Sequence, residues 1–206
     1  MKTLFIHKPF IYQDGDMDLS FIPAMIRRRM SEVEKLSLFL AHQSAPEKGG
    51  DFQSVFASEY GEWQQTIKLI RQFYEEKALS PAGFSTSVHN AAAGFFSMIT
   101  KNKGSYTSIA ANEKTLEMGL VETLITPAPV LFVYAEEKTP DFYTSIKAFE
   151  PAKGASFFIS TEPNDFKVEV QNQKTDGVQI TLDNLSAFLN GKTGVLSLSD
   201  LTLRRL

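Results

Sequence analysis

The spacing of apolar and polar positions changes several times along the chain, and each change marks a new element. Residues 2–7 carry a short apolar stretch that predicts a strand, and the Asp and Gly cluster at 13–18 predicts a loop. From Pro23, the residues Met25, Met30, Val33, Leu36, Leu38 and Leu40 recur near helical spacing, interrupted by Arg27, Arg28 and Arg29. Pro46, Gly49 and Gly50 make 44–51 a loop, and 53–58 then reads as a short buried strand closed by Gly61. Residues 62–79 set Trp63, Ile67, Ile70 and Tyr74 three or four apart, one apolar stripe on a helix. Ser80-Pro81 stops that helix and prepares the next, because proline disfavours helical geometry in the residue before it.

Residues 88–101 predict a helix crowded with small side chains, Ala91, Ala92, Ala93 and Gly94, which let another backbone come close. Tyr106, Thr107 and Ile109 give 105–111 strand character, and Asn112 follows as a favoured helix N-cap. Leu116, Gly119, Leu120, Thr123 and Leu124 continue as an amphipathic helix to Pro127, and 129–135 is the clearest buried strand. Further on, 141–149 predicts a short helix, and 155–161 and 166–171 predict two strands joined as a hairpin by Pro163-Asn164-Asp165. A weaker strand is expected at 178–182 and a short helix at 184–189, with the tail to Leu206 left unassigned. Strands alternating with helices imply βαβ crossovers and a mostly parallel sheet with helices on both faces, the hairpin adding an antiparallel edge. With no repeat or long linker, residues 1–206 are expected to be one domain.

Composition narrows the function classes. The chain has 206 residues, 43% hydrophobic and 22% charged, an ordinary globular balance. Its 21 basic and 24 acidic residues give a net charge of −3, so no broad positive field exists to hold nucleic acid or an anionic membrane. The longest apolar run, 128–135, falls far short of the roughly 18 residues a membrane span needs. After Lys2 the apolar stretch is too short for a signal-peptide core, so the cytoplasm is the expected compartment. There are no cysteines, which removes disulfides, thiolate metal sites and every cysteine nucleophile.

Few residues remain that could carry chemistry. His7, His42 and His89 lie on three different predicted elements without carboxylates at ligand spacing, so no metal is expected. Gly49-Gly50 lacks the strand before and the Lys-Thr after that a phosphate loop needs. Ser58 ends a strand ahead of Gly61 and a helix, and His89 is a candidate base for it. The run Ala57-Ser58-Glu59-Tyr60-Gly61, however, lacks the glycine two before the serine that relieves strain in a nucleophile elbow. The simpler reading of His89-Asn90 is that they satisfy free backbone groups where a helix starts. Arg27, Arg28 and Arg29 read as a solvated face with one arginine in an ion pair, with contact to an acidic partner as the alternative. The turn from 105–111 into Asn112-Glu113 has the architecture of a catalytic site, since a helix N-terminus stabilises anions and lowers thiol pKa values. It offers Asn112 and Glu113, and a carboxylate there is stable but a poor nucleophile toward a thioester.

The run from Ser80-Pro81 through Ser87-Val88-His89-Asn90-Ala91 to Gly94, then Thr107 to Glu113 and Gly119-Leu120, resembles the short β-ketoacyl synthase-like family of chain length factors. These occur in type II polyketide systems, notably those that make aryl polyenes. Residues 23–31, 55–62 and 130–136 look like the same family, and the resemblance covers about 21–138 in order. It implies a thiolase-like half, a βαβαβαββ layer with a mixed sheet and helices on both faces, followed by a short, divergent second portion at about 139–206. Laid on the ketosynthase pattern, Glu113 falls at or next to the nucleophilic Cys. No histidine follows His89 to supply the second half's catalytic pair.

The resemblance therefore implies a non-catalytic subunit that pairs with an active β-ketoacyl synthase as a heterodimer and shapes its acyl tunnel, with acyl carrier protein as a further partner. No cofactor is called for. Ser87, His89, Asn90, Ala91, Gly94, Asn112 and Glu113 carry the motif. Tyr106, Thr107 and Ile109 are expected at the subunit interface, and Arg27, Arg28 and Arg29 at an acidic partner. The alternatives are a thiolase-like acyl hydrolase using Ser58 or His89, and a homodimeric acyl-binding module.

Overall fold

The computed structural model describes residues 2–47, 50–140, 143, 151–175 and 179–206. Its strands are β1 (Lys2–Tyr12), β2 (Gln53–Ala57), β3 (Tyr106–Ile109), β4 (Val130–Glu136), β5 (Lys153–Ser160), β6 (Lys167–Asn172), β7 (Val195–Ser197) and β8 (Leu201–Arg205). Its helices are α1 (Ala24–Arg27), α2 (Glu32–Ser44), α3 (Trp63–Glu76), α4 (Pro81–Ser85), α5 (Ala91–Thr100), α6 (Thr115–Ile125) and α7 (Leu182–Leu189). Among the described residues, all eight strands share one sheet in the order β3-β2-β4-β5-β1-β6-β8-β7.

Strand β4 shows why the sheet is covered twice. Every one of its residues is buried. Val130, Phe132 and Tyr134 enter one core with Leu116, Leu120 and Leu124 of α6 and Leu185 and Phe188 of α7. Leu131, Val133 and Ala135 enter the other with Val33, Leu36 and Leu40 of α2 and Ala93 and Phe96 of α5. A strand apolar from Val130 to Ala135 thus supplies both cores, as period-2 side-chain alternation requires.

Several expectations are corrected. The sheet is not mostly parallel, as the alternation implied, but mixed, as the family resemblance implied: β2 runs parallel to β3 and β4, and the remaining neighbours are antiparallel. Strand β1 continues well past His7 to Tyr12, carrying Pro9 in a register shift between His7 and Phe10 where Lys8 takes a φ of +46°. A bulge tolerates a residue that cannot donate to the ladder. The predicted helix from Pro23 divides in two, because Ser31 starts α2 with a capping box. Its Oγ accepts the Glu34 amide at 3.1 Å, and its own amide donates to Glu34 Oε2 at 2.7 Å.

The expected hairpin of 155–161 and 166–171 does not form, since β1 lies between β5 and β6. Asn164 holds the crossing: its Nδ2 donates to the Ile6 carbonyl at 2.7 Å and its Oδ1 accepts the Phe166 amide at 2.8 Å. The weak strand at 178–182 is also absent over its described residues, where Thr181 caps α7 and Leu182 begins it. Val178, and the short helix expected at 141–149 apart from Tyr143, lie outside the described residues.

Helix α3 departs most from expectation. Leu69 is its one buried residue. Ile70, Phe73, Tyr74, Leu79 and Phe84, between 39% and 70% exposed, instead line an open apolar groove of about 470 Å³ between α3 and α4.

Candidate functional site

The C-terminal ends of parallel strands are where open α/β sheets place their sites, and here the ends of β2, β3 and β4 bring two turns together. At the end of β2, Ser58 is buried. Its Oγ accepts the Gly61 amide at 2.9 Å and donates to Glu136 Oε2 at 3.3 Å, while Glu136 Oε1 accepts the Glu59 amide at 2.6 Å. His89 reaches the same turn, but its Nε2 lies 2.7 Å from the Ser58 backbone carbonyl. A carbonyl only accepts, so Nε2 carries the proton and the ring has no role toward the Ser58 hydroxyl. Gly61 adopts a φ of +53°, and a Cβ there would stand 2.7 Å from His89 Cδ2. The glycine is therefore needed both for its backbone and for the imidazole packed on it.

At the end of β3 the chain makes a second strand-to-helix turn. Asn112 takes a φ of +53°, in the left-handed region. Thr115 fastens the turn, its Oγ1 accepting the Ala111 amide at 2.9 Å and donating to the Asn112 carbonyl at 2.6 Å. Asn112 is thus not the cap of α6, which begins only at Thr115 after Lys114. Asn112 and Glu113 are both exposed. The turn holds a left-handed residue between strand and helix, and what it presents is an amide and a carboxylate.

The other predicted residues scatter around these turns. Asn90 precedes α5 without capping it through its side chain, so the expected backbone-satisfying role falls to His89 alone, and at β2 instead of α5. Ser87 Oγ donates to the Phe84 carbonyl at 2.9 Å. Ala93 is buried and Ala91 half-buried, but a Cβ on Gly94 would meet nothing nearer than Tyr106 Oη at 3.9 Å. The close approach sits at Gly119 of α6, where a Cβ would stand 2.8 Å from Ala57 Cβ and 3.0 Å from Phe132 Cε2. Tyr106, Thr107 and Ile109 lie on β3, an edge strand that pairs with β2 alone among the described residues, and Tyr106 is exposed. Arg27 Nη1 donates to the Leu19 carbonyl at 3.0 Å, and Arg28 and Arg29 are exposed. The expected arginine ion pair is not seen: the ion pairs among the described residues are Lys8–Glu47 and Lys35–Glu32.

Sequence reasoning missed a group of buried carboxyls beside the first turn. Glu34, Glu62 and Glu137 are nearly inaccessible. Burial pushes Glu62 up to about 8, reinforced by the charges of Glu34 and Glu137 and opposed by the Ser31 side chain. Burial likewise raises Glu34 to about 7 against its Ser31 hydrogen bonds. It raises Glu137 to about 7 against the amides of Gln64 and Val33. Tyr134 is also raised, by burial first and then by Glu136. The signal available in the sequence was Ser31-x-x-Glu34, a capping box within the expected helix. Among the described residues, no three His, Asp or Glu side chains converge to hold a metal.

The sequence model of the β-ketoacyl synthase N-terminal domain matches residues 7–190. The chain belongs to that family. No curated protein sequence matches this family member significantly. Among solved structures, it is similar to a chain of the ketosynthase ApeO in complex with its chain length factor ApeC from Xenorhabdus doucetiae. The TM-score is 0.75 at 19% identity, covering 100% of this chain and 99% of that one. It is also similar to the ishigamide ketosynthase/chain length factor, with a TM-score of 0.56 at 17% identity, covering 70% of this chain and 49% of that one. A β-ketoacyl synthase from Burkholderia phymatum STM815 gives a TM-score of 0.56 at 11% identity, with coverage of 89% and 58%. At these identities the likeness carries the fold. The family member spans nearly the whole of the first chain and about half of the other two.

Proposed function

We propose that this chain is a non-catalytic, chain-length-factor-like subunit that pairs with an active β-ketoacyl synthase. The pair would work in type II polyketide biosynthesis of the aryl polyene type, or in a fatty-acid-like pathway, with this subunit shaping the acyl tunnel. The observation that carries this reading is the β3–α6 turn. It keeps a left-handed residue between strand and helix, yet holds Asn112 and Glu113 in a chain with no cysteine. Condensation needs a thiolate that can form an acyl thioester, and a carboxylate does not supply one. Two of the similar structures are ketosynthase and chain length factor assemblies by their own descriptions, which favours a paired role here.

The partner surface in this reading is the open edge of β3. Tyr106–Ile109 has strand-forming residues and no charge or proline to blunt it, and an unprotected edge of that kind calls for a covering strand. The exposed apolar residues of α3 and α4 supply further surface of a kind that monomers rarely leave bare. Arg28 and Arg29 remain available to an acidic carrier protein, whereas Arg27 is committed to Leu19. The cytoplasm is the compartment where such a pair would work, and no described helix is long and apolar enough to cross a membrane.

Co-expression with an active ketosynthase should yield a one-to-one complex, and Thr107→Lys should abolish it while circular dichroism of the separate chain stays unchanged. A normal complex with the variant removes the β3 interface. Failure of the unaltered chain to bind any ketosynthase, with a homodimer by light scattering, would favour the acyl-binding module instead.

A further inference from the structure

Three carboxyls close the junction where α2, α3 and β4 meet. Glu34 lies in the first turn of α2, Glu62 immediately precedes α3, and Glu137 immediately follows β4. Their exposures are 0%, 4% and 6%. Each has one oxygen, Glu34 Oε1, Glu62 Oε2 and Glu137 Oε2, that is buried without a hydrogen-bond partner. The oxygens that do have partners face helix-start amides: Glu34 Oε2 takes Ser31 N–H at 2.7 Å and Glu137 Oε1 takes Gln64 N–H at 2.9 Å.

Among the described residues no cation is ion-paired with them, though Lys35 exerts a weak pull on Glu34. On α2, Lys35 is already 2.7 Å from Glu32, and Glu32 adds negative charge toward Glu137. The β2–α3 turn contributes Glu59, the end of β4 contributes Glu136 and Lys138, and Lys153 of β5 stands opposite Glu136 in the sheet register. Each of those four has an interaction of its own. Three adjacent buried anions would repel one another without solvent to screen them, a cost removed by protonation. A protonated carboxyl is also a donor, and donors are what three orphaned acceptor oxygens lack.

We propose that Glu34, Glu62 and Glu137 form a latch that fastens the start of α3 to α2 and β4 while the carboxyls are protonated and opens when they ionise. Helix α3 has few other fastenings, since Leu69 is its one buried residue. Gln64 makes the attachment, with its amide on Glu137 and its Nε2 donating to the Lys138 carbonyl at 2.8 Å. The sign is the reverse of ordinary acid denaturation. Groups that hold protons more tightly when folded stabilise the fold at mildly acidic pH and lose that contribution as pH rises through their folded values. This latch stands apart from the partner role and does not depend on it.

The chain's one tryptophan reports on the junction directly. Trp63 is the first residue of α3 and stacks on Tyr60 with ring centroids 4.2 Å apart. Its fluorescence in the full chain should change cooperatively between about pH 6 and 9, with its midpoint in the range of the raised carboxyl values and not the ordinary carboxylate range. Glu62→Gln, which keeps shape and supplies a permanent donor, should abolish the change or move its midpoint by more than one pH unit. His89→Gln should leave it in place. A flat titration overturns the latch. So does a transition that survives Glu62→Gln, or one that disappears in His89→Gln. Should Glu62→Gln fail to fold, amide exchange in the unaltered chain decides. Protection of residues 63–66, corrected for the intrinsic rate, should fall at least tenfold across that range, and constant protection refutes the proposal.

Discussion

The His89 imidazole donates through Nε2 to the backbone carbonyl of Ser58, 2.7 Å away, and leaves the serine hydroxyl to Gly61 and Glu136. The two residues most suggestive of a hydrolytic dyad are thus joined through the wrong atom. His89 serves as a strut between the start of α5 and the end of β2.

Removing that strut should cost stability and nothing else. His89→Phe leaves the Ser58 carbonyl without its donor, a loss of about 1–3 kcal/mol, while His89→Gln should recover part of it in urea unfolding. A fluorophosphonate probe should not label Ser58, and a mass adduct on that residue would contradict this reading.

The glycines of α5 and α6 should respond oppositely to a methyl group. Gly119→Ala drives a Cβ against Ala57 and Phe132, overpacking that should cost about 1–3 kcal/mol. Gly94→Ala meets only ordinary contact with Tyr106 and should gain up to about 1 kcal/mol from helix propensity. Thermal melting of the two variants tests the pair, and equal shifts would overturn the assignment of the close approach to α6.

Restoring a thiol should not restore condensation. Glu113→Cys places sulfur on an exposed turn, but no histidine follows His89 to assist either decarboxylation or carbon–carbon bond formation. Intact mass spectrometry is expected to show at most an acyl adduct, and product formation by the variant alone would defeat the non-catalytic reading.

Glu117 links the two portions of the chain. Its Oε1 accepts the Ser199 amide at 2.6 Å from within α6, and the residue is buried. Glu117→Ala should lower stability by about 1–3 kcal/mol and accelerate amide exchange in β7 and β8 ahead of the rest of the sheet.

What the sequence revealed follows from how local each determinant is. Strand β4 was legible because six consecutive buried residues, Val130 to Ala135, leave a continuous apolar run; α4 was not anticipated, although Ser80 caps it and Pro81 stands at its first position. The hairpin expectation failed because strand character says nothing about neighbours. Asn164 contacts Ile6, 158 residues away. The Asn112 cap failed because the residue types that cap helices also tolerate left-handed backbone, and Thr115 decided between them from four residues downstream of Ala111. The carboxyl junction was invisible because Glu34, Glu62 and Glu137 are ordinary surface residues by type, made unusual only by burial.

Strand β1 lies fifth in the sheet order, between β5 and β6. It is translated before β2, β3 and β4, yet both of its hydrogen-bonding neighbours come from beyond Lys153. Leu4 and Ile6, each no more than 2% exposed in the finished fold, therefore wait uncovered while the parallel strands and their crossover helices emerge. The order of synthesis and the order of sheet closure are opposed. A nascent chain paused near residue 140 holds an apolar strand with neither neighbour made, and an uncovered strand of that kind is an aggregation hazard until β5 and β6 appear.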